Sequence, residues 1–378
     1  MSIKVLSCFG TRPEAIKMAP VVRELQRRAP QFESVVCVTG QHREMLDQIM
    51  QSFQLRADFD LNVMQHAQSP AQVAARVLAE LPRILEEVKP DMILVQGDTT
   101  TTCAAGLAAF LGRVPVGHVE AGLRTGDLEQ PFPEEMNRRV TTVVSALHFA
   151  PTKDAAAALL KEGVPQERVI LAGNTVIDAL LQSVREDYVF EDPRLTQLPR
   201  NGKILLVTTH RRESIGEPMR HVCEALLRLK QAHPELTIVI PTHRNPAVRE
   251  IVLGMLQNQT GIILVDPLPY LDFVHMMARS DIILTDSGGV QEEAPSLKRP
   301  VLVIREVTER PEGVTAGVAK LLGTDPTRIF NAVHELLTNE QAYRAMVGSV
   351  NPYGDGHAAK YIVDAIVKWH QQHRRHSV

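Results

Sequence analysis

The stretch SDIILTDSGGVQEEAPSLKRP, residues 280–300, decides how the rest of the chain is interpreted. Residues 282–284 form a short apolar run that predicts a buried strand, and Ser287 supplies a hydroxyl suited to capping a helix. Gly288 and Gly289 are expected to turn the backbone with positive φ, and Pro295 predicts that the following helix is short. Such a turn points backbone N–H groups at one place, where phosphate is a common ligand. We therefore expect an anion site here, although an ordinary turn would carry the same residues.

Strand-like apolar runs alternate with helical patterns along almost the whole chain. They fall at residues 3–9, 35–38, 92–95, 116–119 and 147–150, and again at 204–208, 237–240, 262–265, 282–284 and 301–304. This repetition predicts an α/β fold of two doubly wound, Rossmann-like domains with parallel sheets. Two such domains are expected to face a central cleft that receives the carboxyl ends of their strands. We place the boundary at Gln166, because residues 168–171 are interpreted as the first strand of a second domain, 167–353.

Composition and charge argue against several classes of partner. The 378 residues include 41 basic and 44 acidic side chains, a net charge of -3, which gives no reason to expect nucleic acid or an anionic membrane. The four cysteines form no CxxC pair, so we expect reduced thiols and neither a disulfide frame nor a metal site. No apolar run is long enough for a signal peptide or a membrane span, and we expect a cytoplasmic protein.

Charged residues follow the strands of the first half. Arg12 and Lys17 come after the first strand, in GTRPEAIK, and are suited to an anionic ligand. Asp98 and Glu120 come after later strands, and Glu134 stands at a predicted helix start. A helix cap is the commoner role for such an Asp, and the helix dipole alone explains an acid at the position of Glu134. Three acids at one sheet edge nevertheless favour a catalytic group.

The second half repeats this pattern with different residue types. His210 follows the run 204–208, Glu293 lies about one turn into the helix after Gly289, and Arg310 follows the last run. A carboxylate such as Glu293 is able to accept both ribose hydroxyls of a nucleotide. Phe273 is suited to a nucleotide base, although a core position is the commoner role for a Phe. The sequence has no GxGxxG after the first strand, so no nicotinamide cofactor is expected. It has no P-loop either, so no ATP-dependent chemistry that uses a P-loop is expected.

Eight motifs together give the sequence a family resemblance. They are GTRPEAIKMAP (10–20), QGDTTTT (96–102), HVEAGLRTGD (118–127), PFPEEMNRR (131–139), THRRES (209–214), LTDSGGVQEEAPSL (284–297), TERPEGV (308–314) and NPYGDG (351–356). The chain resembles a non-hydrolysing UDP-N-acetylglucosamine 2-epimerase over nearly its whole length. The resemblance implies interconversion of UDP-N-acetylglucosamine and UDP-N-acetylmannosamine on a glycosyltransferase-B fold. It also implies a homodimer, no cofactor, a role in cell-surface polysaccharide synthesis, and a C-terminal helix, residues 354–378, that returns to the first domain.

The resemblance assigns roles residue by residue. It implies that Asp98, Glu120, Glu134 and His210 surround the sugar. It implies that the diphosphate lies near Arg12, Ser287, Gly288, Gly289 and Arg310 with Lys17 close by, the ribose at Glu293 and the uracil near Phe273. In some members a second UDP-N-acetylglucosamine acts as an activator, and the matching residues are Gln41, Glu44, His210, Glu213 and His243. This chain departs from those members at Glu44, where they carry Gln, and at Ala67, where they carry Arg, so an activator site is weakened.

The chemistry explains why several acids are needed. The C2–H bond of the sugar is not acidified by a neighbouring carbonyl, so departure of UDP by anti-elimination, giving 2-acetamidoglucal, is the expected route. One acid removes the C2 proton and another delivers a proton to the opposite face before UDP adds back. The residues do not decide which of the three carboxylates does which.

Three other functions share part of this pattern. A UDP-sugar glycosyltransferase would keep the diphosphate turn and Glu293 but would not need several acids around the donor sugar. A hydrolysing epimerase would let water intercept the glycal and release UDP with N-acetylmannosamine. A nucleotide-sugar sensor would keep the phosphate site but lose the acids, whereas all of them are present in this chain.

Overall fold

The structure is a computed structural model that describes residues 2–40, 43–63, 68–199, 202–209, 211 and 215–374, and for residues 43–45 and 374 the backbone only. The chain divides into two compact units. Unit 1 comprises Met1–Gln182 and Tyr353–Val378, and unit 2 comprises Ser183–Pro352. Among the described residues, no helix is both long and apolar enough to span a membrane.

Unit 1 is built on a parallel sheet with the strand order β3-β2-β1-β4-β5-β6-β7. Its strands are β1 (Ile3–Phe9), β2 (Phe32–Val38), β3 (Phe59–Asp60), β4 (Met92–Gln96), β5 (Val116–Val119), β6 (Leu147–Ala150) and β7 (Val169–Leu171). Its helices are α1 (Arg12–Arg27), α2 (Arg43–Ser52), α3 (Pro70–Val88), α4 (Thr100–Leu111), α5 (Glu134–Val144), α6 (Lys153–Lys161) and α7 (Thr175–Ser183), with α16 (Ala358–Arg374) from the end of the chain. A 3₁₀ turn, Gln166–Arg168, leads into β7.

Unit 2 repeats the architecture with the strand order β10-β9-β8-β11-β12-β13. Its strands are β8 (Ile204–Thr208), β9 (Thr237–Pro241), β10 (Ile262–Val265), β11 (Ile282–Thr285), β12 (Val301–Val303) and β13 (Ala319–Leu321). Its helices are α8 (Pro193–Thr196), α9 (Glu217–Ala232), α10 (Pro246–Leu256), α11 (Tyr270–Arg279), α12 (Gly288–Glu293), α13 (Pro311–Thr315), α14 (Pro326–Thr338) and α15 (Glu340–Gly348). A 3₁₀ turn, Ala294–Leu297, follows α12 directly and contains Pro295.

Both units bury apolar side chains between their sheets and helices. In unit 1 the strand residues Ile93 and Val95 pack with Val77 and Leu81 of α3. In unit 2 Leu205 packs with side chains of α9, α10 and α14. Each fully buried aliphatic side chain contributes roughly 1.5–3 kcal/mol. The alternation of strands and helices that the sequence predicts is therefore confirmed, including the α/β class and the two doubly wound sheets.

The strand order reverses once in each sheet, and several of the turns predicted to be functional lie at that point. In unit 1, β1 lies between β2 and β4, so the turns after β1 and β4 diverge at the carboxyl edge. In unit 2, the corresponding pair is β8 and β11. Ligands of doubly wound sheets bind at such switch points. The segments that follow are GTRPE after β1, GDTT after β4, THRRE after β8 and DSGG after β11.

The predicted boundary at Gln166 was wrong. The strand after it, β7, does not open the second sheet but pairs with β6, His148 with Val169 and Ala150 with Leu171. A three-residue apolar strand has the same sequence pattern whether it ends one sheet or begins the next. Only the strand with which it pairs shows to which sheet it belongs. Unit 1 therefore continues through α7 to Gln182.

The end of the chain belongs to unit 1. The helix α16 packs along α1, and Arg28, the residue that follows α1, forms an ion pair with Asp364 of α16, with an Nη1–Oδ1 distance of 2.6 Å. Two short strands, β3 and β13, were not predicted from the sequence, because two or three residues give no periodic signal.

Candidate active site

The first turn of the site is fixed by a buried carboxylate. Thr11 caps α1, and Glu14 accepts hydrogen bonds from the backbone N–H groups of Gly10 and Thr11 at 3.0 and 2.7 Å. The same carboxylate accepts from the hydroxyls of Thr99, the cap of α4, and of Thr102 in the first turn of α4, at 2.7 and 3.0 Å. Burial raises the pKa of Glu14, while these donors oppose that shift. The turns after β1 and β4 are thereby tied together, with half-buried Arg12 at the first residue of α1.

Glu120 is the most constrained of the predicted acids. It lies directly after β5 with φ +63°, a left-handed backbone conformation that is uncommon for a residue other than glycine. Lys17 donates to both of its carboxylate oxygens, at 2.6 and 2.7 Å. Gln96 donates to Oε2 through its side-chain amide, and Asn174 donates to Oε1 at 3.3 Å. All of these donors stabilise the ionised carboxylate. Lys17, which the resemblance assigns to the neighbourhood of the diphosphate, is thus paired with an acid in this structure.

Asp98 is held by an arginine of α5. Its Oδ2 accepts from Nε of Arg138 at 2.9 Å, and its backbone carbonyl accepts from the amide of Asn137 at 2.9 Å. Arg138 also donates to the fully buried Glu135 at 2.7 Å. The cap of α4 is Thr99, whose hydroxyl accepts from the backbone of Thr102, so the commoner helix-cap role does not account for Asp98. About a third of the Asp98 side chain, 31%, remains exposed.

Glu134 is the first residue of α5. Its Oε2 is buried and has no hydrogen-bond partner among the described residues. A buried carboxylate oxygen without a partner is costly unless a ligand or water satisfies it. Helix-dipole stabilisation explains an acid at this position but not the burial of an unbonded oxygen, so the arrangement favours a functional role.

Two histidines lie beneath this edge of the sheet. His118 of β5 and His148 of β6 are register partners in adjacent strands, and both are buried. Burial lowers the pKa of His118 to about 4 and that of His148 to about 3, so both rings are neutral near pH 7. Nε2 of His118 lies 2.7 Å from the carbonyl oxygen of Gly97 and, in a neutral ring, donates to it. His118 thus supports the turn that carries Asp98.

The predicted anion site of unit 2 is formed by the start of α12. Ser287 caps the helix, and its Oγ lies 3.5 Å from the backbone nitrogen of Val290. Gly288 and Gly289 are the first two helical residues, and neither has the positive φ that the sequence led us to expect. A Cβ built on Gly288 would lie 3.9 Å from the Arg310 guanidinium, an ordinary van der Waals contact, so the helix start lies directly beside this cation.

The Arg310 guanidinium is oriented by its neighbours. Its Nε donates to the buried carboxylate of Glu292, and its backbone N–H donates to Thr308 Oγ1 at 3.0 Å. The hydroxyl of Thr308 in turn donates to Gln291 of α12 at 2.6 Å. The segment after β12 is therefore fastened to α12, which holds a positive charge next to the backbone N–H groups of the helix start.

The remaining predicted residues fall in several places. Glu293 is the last residue of α12, and Phe273 is a half-buried residue of α11. His243 is exposed in the loop after β9, where its Nδ1 accepts from the backbone of Asn245 at 3.1 Å. His210, Gln41, Glu213 and Ala67 lie outside the described residues, as does the side chain of Glu44. No group of three or more His, Cys, Asp or Glu within the described ranges is arranged to hold a metal ion.

The sequence did not identify three residues that bond the predicted acids, Gln96, Arg138 and Asn174, nor Glu135, which accepts from Arg138. Gln96 directly follows the predicted strand 92–95 but was not singled out, and Arg138 and Glu135 lie in the charged run EEMNRR, where no single residue stands out. Asn174 was missed because β7 was assigned to the second sheet. Had β7 been placed in unit 1, Asn174 would have followed a strand at the same edge as Asp98 and Glu120, which is the signal that identified those acids.

Comparison with known proteins finds relatives over nearly the whole chain. The family model for UDP-N-acetylglucosamine 2-epimerase matches residues 23–367. The chain is 52% identical to the UDP-N-acetylglucosamine 2-epimerase of Yersinia pestis, with 98% of this chain and 99% of the relative covered.

Two solved structures are similar over nearly their whole length. One is the UDP-GlcNAc 2-epimerase from Neisseria meningitidis bound to UDP-GlcNAc, at 47% identity and a TM-score of 0.85, covering 97% of this chain and 100% of that one. The other is the enzyme from Methanocaldococcus jannaschii in complex with UDP-GlcNAc and UDP, at 31% identity and a TM-score of 0.76, with the same coverage.

Proposed function

Because the chain belongs to the UDP-N-acetylglucosamine 2-epimerase family, we propose that it interconverts UDP-N-acetylglucosamine and UDP-N-acetylmannosamine by inversion at C2, without net hydrolysis. The observation that supports this most is the group of acids at the carboxyl edge of the unit 1 sheet. Asp98 and Glu120 are each paired with a cation, and a buried oxygen of Glu134 has no partner among the described residues. Inversion needs at least two proton-transferring groups, which this edge supplies.

The first step is departure of UDP. The bond between C1 and the diphosphate oxygen breaks, and the electron pair leaves with UDP. Arg12, Arg310 and the start of α12 from Ser287 to Gly289 stabilise the negative charge on the diphosphate, an electrostatic role that needs no proton transfer. Support comes from the guanidinium of Arg310, which lies beside Gly288 and is held there by Glu292.

The second step moves the C2 proton. One carboxylate of unit 1 removes it as the C1=C2 double bond of 2-acetamidoglucal forms. Another group delivers a proton to the opposite face of C2, and UDP then adds back at C1. Glu120, with its donors, is suited to remain anionic near the positive charge that develops at C1. His210 belongs to this group by the family resemblance.

Product analysis tests the proposal. The protein is incubated with UDP-N-acetylglucosamine, and the mixture is followed by ¹H NMR until the ratio of species is constant. We expect UDP-N-acetylmannosamine to accumulate to a constant ratio with the substrate and little free UDP to appear. Stoichiometric UDP with free N-acetylmannosamine would indicate a hydrolysing epimerase. UDP released only when an acceptor sugar is added would indicate a glycosyltransferase.

We also propose a weakened activator site for a second UDP-N-acetylglucosamine. Its residues are Gln41, Glu44, His210, Glu213 and His243. Support for a weak site comes from Glu44, which places a negative charge where other members carry a neutral Gln, and from Ala67 in place of Arg. Initial rates measured against UDP-N-acetylglucosamine concentration are expected to be hyperbolic or only slightly sigmoidal. A Glu44→Gln, Ala67→Arg variant is expected to be more sigmoidal, and identical curves would contradict the assignment.

The protein is further proposed to be a homodimer. Unit 1 carries an outer apolar face, formed by Phe110 and Leu111 of α4 and Val143 of α5, with Trp369 of α16 lining the same hollow. The three side chains are 55%, 71% and 83% exposed, which is unusual for adjacent apolar residues unless another surface covers them. Sedimentation is expected to give a dimer for the natural protein and a monomer for Val143→Glu. A monomeric natural protein would contradict this.

A cytoplasmic location is part of the same proposal. The four cysteines are free thiols, and Cys8 and Cys37 are neighbours in adjacent strands without a disulfide. Free, buried thiols are typical of proteins in a reducing compartment.

A further inference from the structure

Asn174 lies where three segments of unit 1 meet. It stands between β7 and α7, it is only 2% exposed, and its Nδ2 donates to Oε1 of Glu120 at 3.3 Å. Asn174 thus reaches a predicted catalytic acid from the end of β7. The other amide donor to Glu120, Gln96, comes from β4, which lies three strands away in the sheet.

The orientation of the Asn174 side chain is fixed by its own helix. Its Oδ1 accepts from the backbone N–H of Val176 at 3.1 Å, in the first turn of α7. Because the oxygen is used there, the NH₂ group is the end that faces Glu120. Rotating the amide would break the bond to Val176 and place two oxygens against each other.

The backbone of Asn174 is fixed by the returning chain. Its N–H donates to the carbonyl of Tyr353 at 2.7 Å. Two glycines allow this approach, because a Cβ on Gly173 would lie 3.3 Å from Cα of Gly354, and both residues have positive φ. One helical turn later, Asp178 accepts from the backbone N–H groups of Ala358 and Ala359 at 3.1 and 2.8 Å.

We infer that Asn174 is a positioning residue that holds the Glu120 carboxylate in its working orientation and links it to the segment where the chain re-enters unit 1. This inference rests on the proposed function. Lys17 bonds both carboxylate oxygens, but an ammonium on a flexible stem restrains distance more than rotation. The amides of Gln96 and Asn174 come from two different strand ends and define the plane of the carboxylate. The left-handed backbone of Glu120 also needs such restraint to persist.

Two substitutions separate positioning from folding. Asn174→Ser keeps an oxygen able to cap α7 but removes the donor to Glu120. Asn174→Asp keeps an oxygen that accepts from Val176 but replaces the NH₂ donor with a carboxyl oxygen. A second carboxyl group then lies beside that of Glu120. Asp178→Asn is the matched control, because it alters the link between α7 and α16 without touching Glu120.

The expected results differ between the variants. For Asn174→Ser we expect kcat to fall about 10- to 100-fold, the effect of losing one hydrogen bond to a charged group. UDP affinity and the melting temperature are expected to stay close to those of the natural protein and of Asp178→Asn. Losing a donor, or adding a carboxyl group, favours protonation of Glu120. The acidic limb of the kcat–pH profile is therefore expected to move to higher pH, most strongly in Asn174→Asp, and to stay in place in Asp178→Asn.

The outcomes that overturn the inference are distinct from those that overturn the function. If the natural protein does not epimerise UDP-N-acetylglucosamine, the proposed function fails. If it does, and Asn174→Ser retains its kcat, Asn174 does not position Glu120. A loss of kcat that leaves the acidic limb unmoved, and that Asp178→Asn reproduces, would show that Asn174 is merely structural.

Discussion

The carboxyl edges of the two sheets differ in what they offer to a ligand. In unit 1, the residues that follow β4 and β5 are carboxylates, and each has a cationic partner: Lys17 for Glu120 and Arg138 for Asp98. In unit 2, β11 is followed by the fully buried Asp286, whose carboxylate accepts from the backbone N–H of Arg211, and then by a serine and two glycines. Beyond Asp286, backbone N–H groups are therefore presented together with the guanidinium of Arg310.

The difference shows how one architecture is used for two tasks. Both edges lie at the strand reversal of a doubly wound sheet, so topology fixes where a ligand binds but not what happens to it. Side-chain acids suit proton transfer, and backbone donors with an arginine suit a diphosphate that leaves as an anion and adds back without a proton transfer of its own. If this division is correct, variants of the unit 1 acids lose chemistry and keep UDP, while variants of Arg310 and the start of α12 lose UDP.

The largest effect is expected for Glu120→Gln. Removing a carboxylate that acts on the sugar should lower kcat by about 10³-fold, within the range for general acid–base groups. UDP affinity, measured by calorimetry, should remain near that of the natural protein. Glu24→Gln, which alters a carboxylate paired with Arg27 and Arg28 elsewhere on α1, should leave kcat unchanged. Loss of both kcat and UDP binding would mean that Glu120 is structural.

The next effect concerns unit 2. Arg310→Gln removes the charge beside the helix start and should weaken UDP binding about 10- to 100-fold, as expected for charged hydrogen bonds. Arg344→Gln, at a highly exposed ion pair of α15, serves as the control and should bind UDP normally. Normal UDP affinity in Arg310→Gln, measured by the same calorimetry, would contradict the role of this edge.

Acid stability distinguishes the sheet of unit 1. His148 has a pKa of about 3 in the folded protein, below its usual 6.5, so the unfolded chain binds a proton more readily. Stability is therefore lost as pH falls from about 6.5 towards about 3. His148→Leu removes this titrating group. Between pH 7.5 and pH 5 its free energy of unfolding should therefore fall by about 2 kcal/mol less than that of the natural protein. Urea midpoints at the two pH values test this, and an equal loss in both proteins would contradict it.

The smallest effect is expected for Ser287→Ala. Loss of a helix cap costs about 1 kcal/mol of stability. Ser69→Ala, which removes the cap of α3 in unit 1, is matched in chemistry and should cost a similar amount. Only Ser287→Ala should also weaken UDP binding, by a fewfold, because only that cap belongs to the proposed diphosphate site. Equal UDP affinity in the two variants would remove Ser287 from the site.

Much of the fold follows from the sequence because its strands are apolar and are followed by charged motifs. The runs 3–9, 116–119, 147–150, 204–208 and 262–265 match β1, β5, β6, β8 and β10 residue for residue. The acids of unit 1 were identified by the same rule, since polar residues at strand ends meet at one sheet edge.

The rest depended on pairings that no local pattern contains. The strand β7 has the same composition as a strand that opens a sheet, and only its pairing with β6 places it in unit 1. That single assignment also concealed Asn174. The glycines of α12 suggested a turn with positive φ, whereas the helix starts at Gly288 and neither glycine has a positive φ.

The central claim is that unit 1 exchanges the C2 proton while unit 2 retains UDP, and one measurement tests it directly. UDP-N-acetylglucosamine is incubated with the protein in D₂O, and both nucleotide sugars are followed by ¹H NMR. We expect UDP-N-acetylmannosamine with deuterium at C2 and no accumulation of free UDP. Product that keeps the original hydrogen at C2 would show that the proton is not exchanged by the acids of unit 1, and would contradict the account.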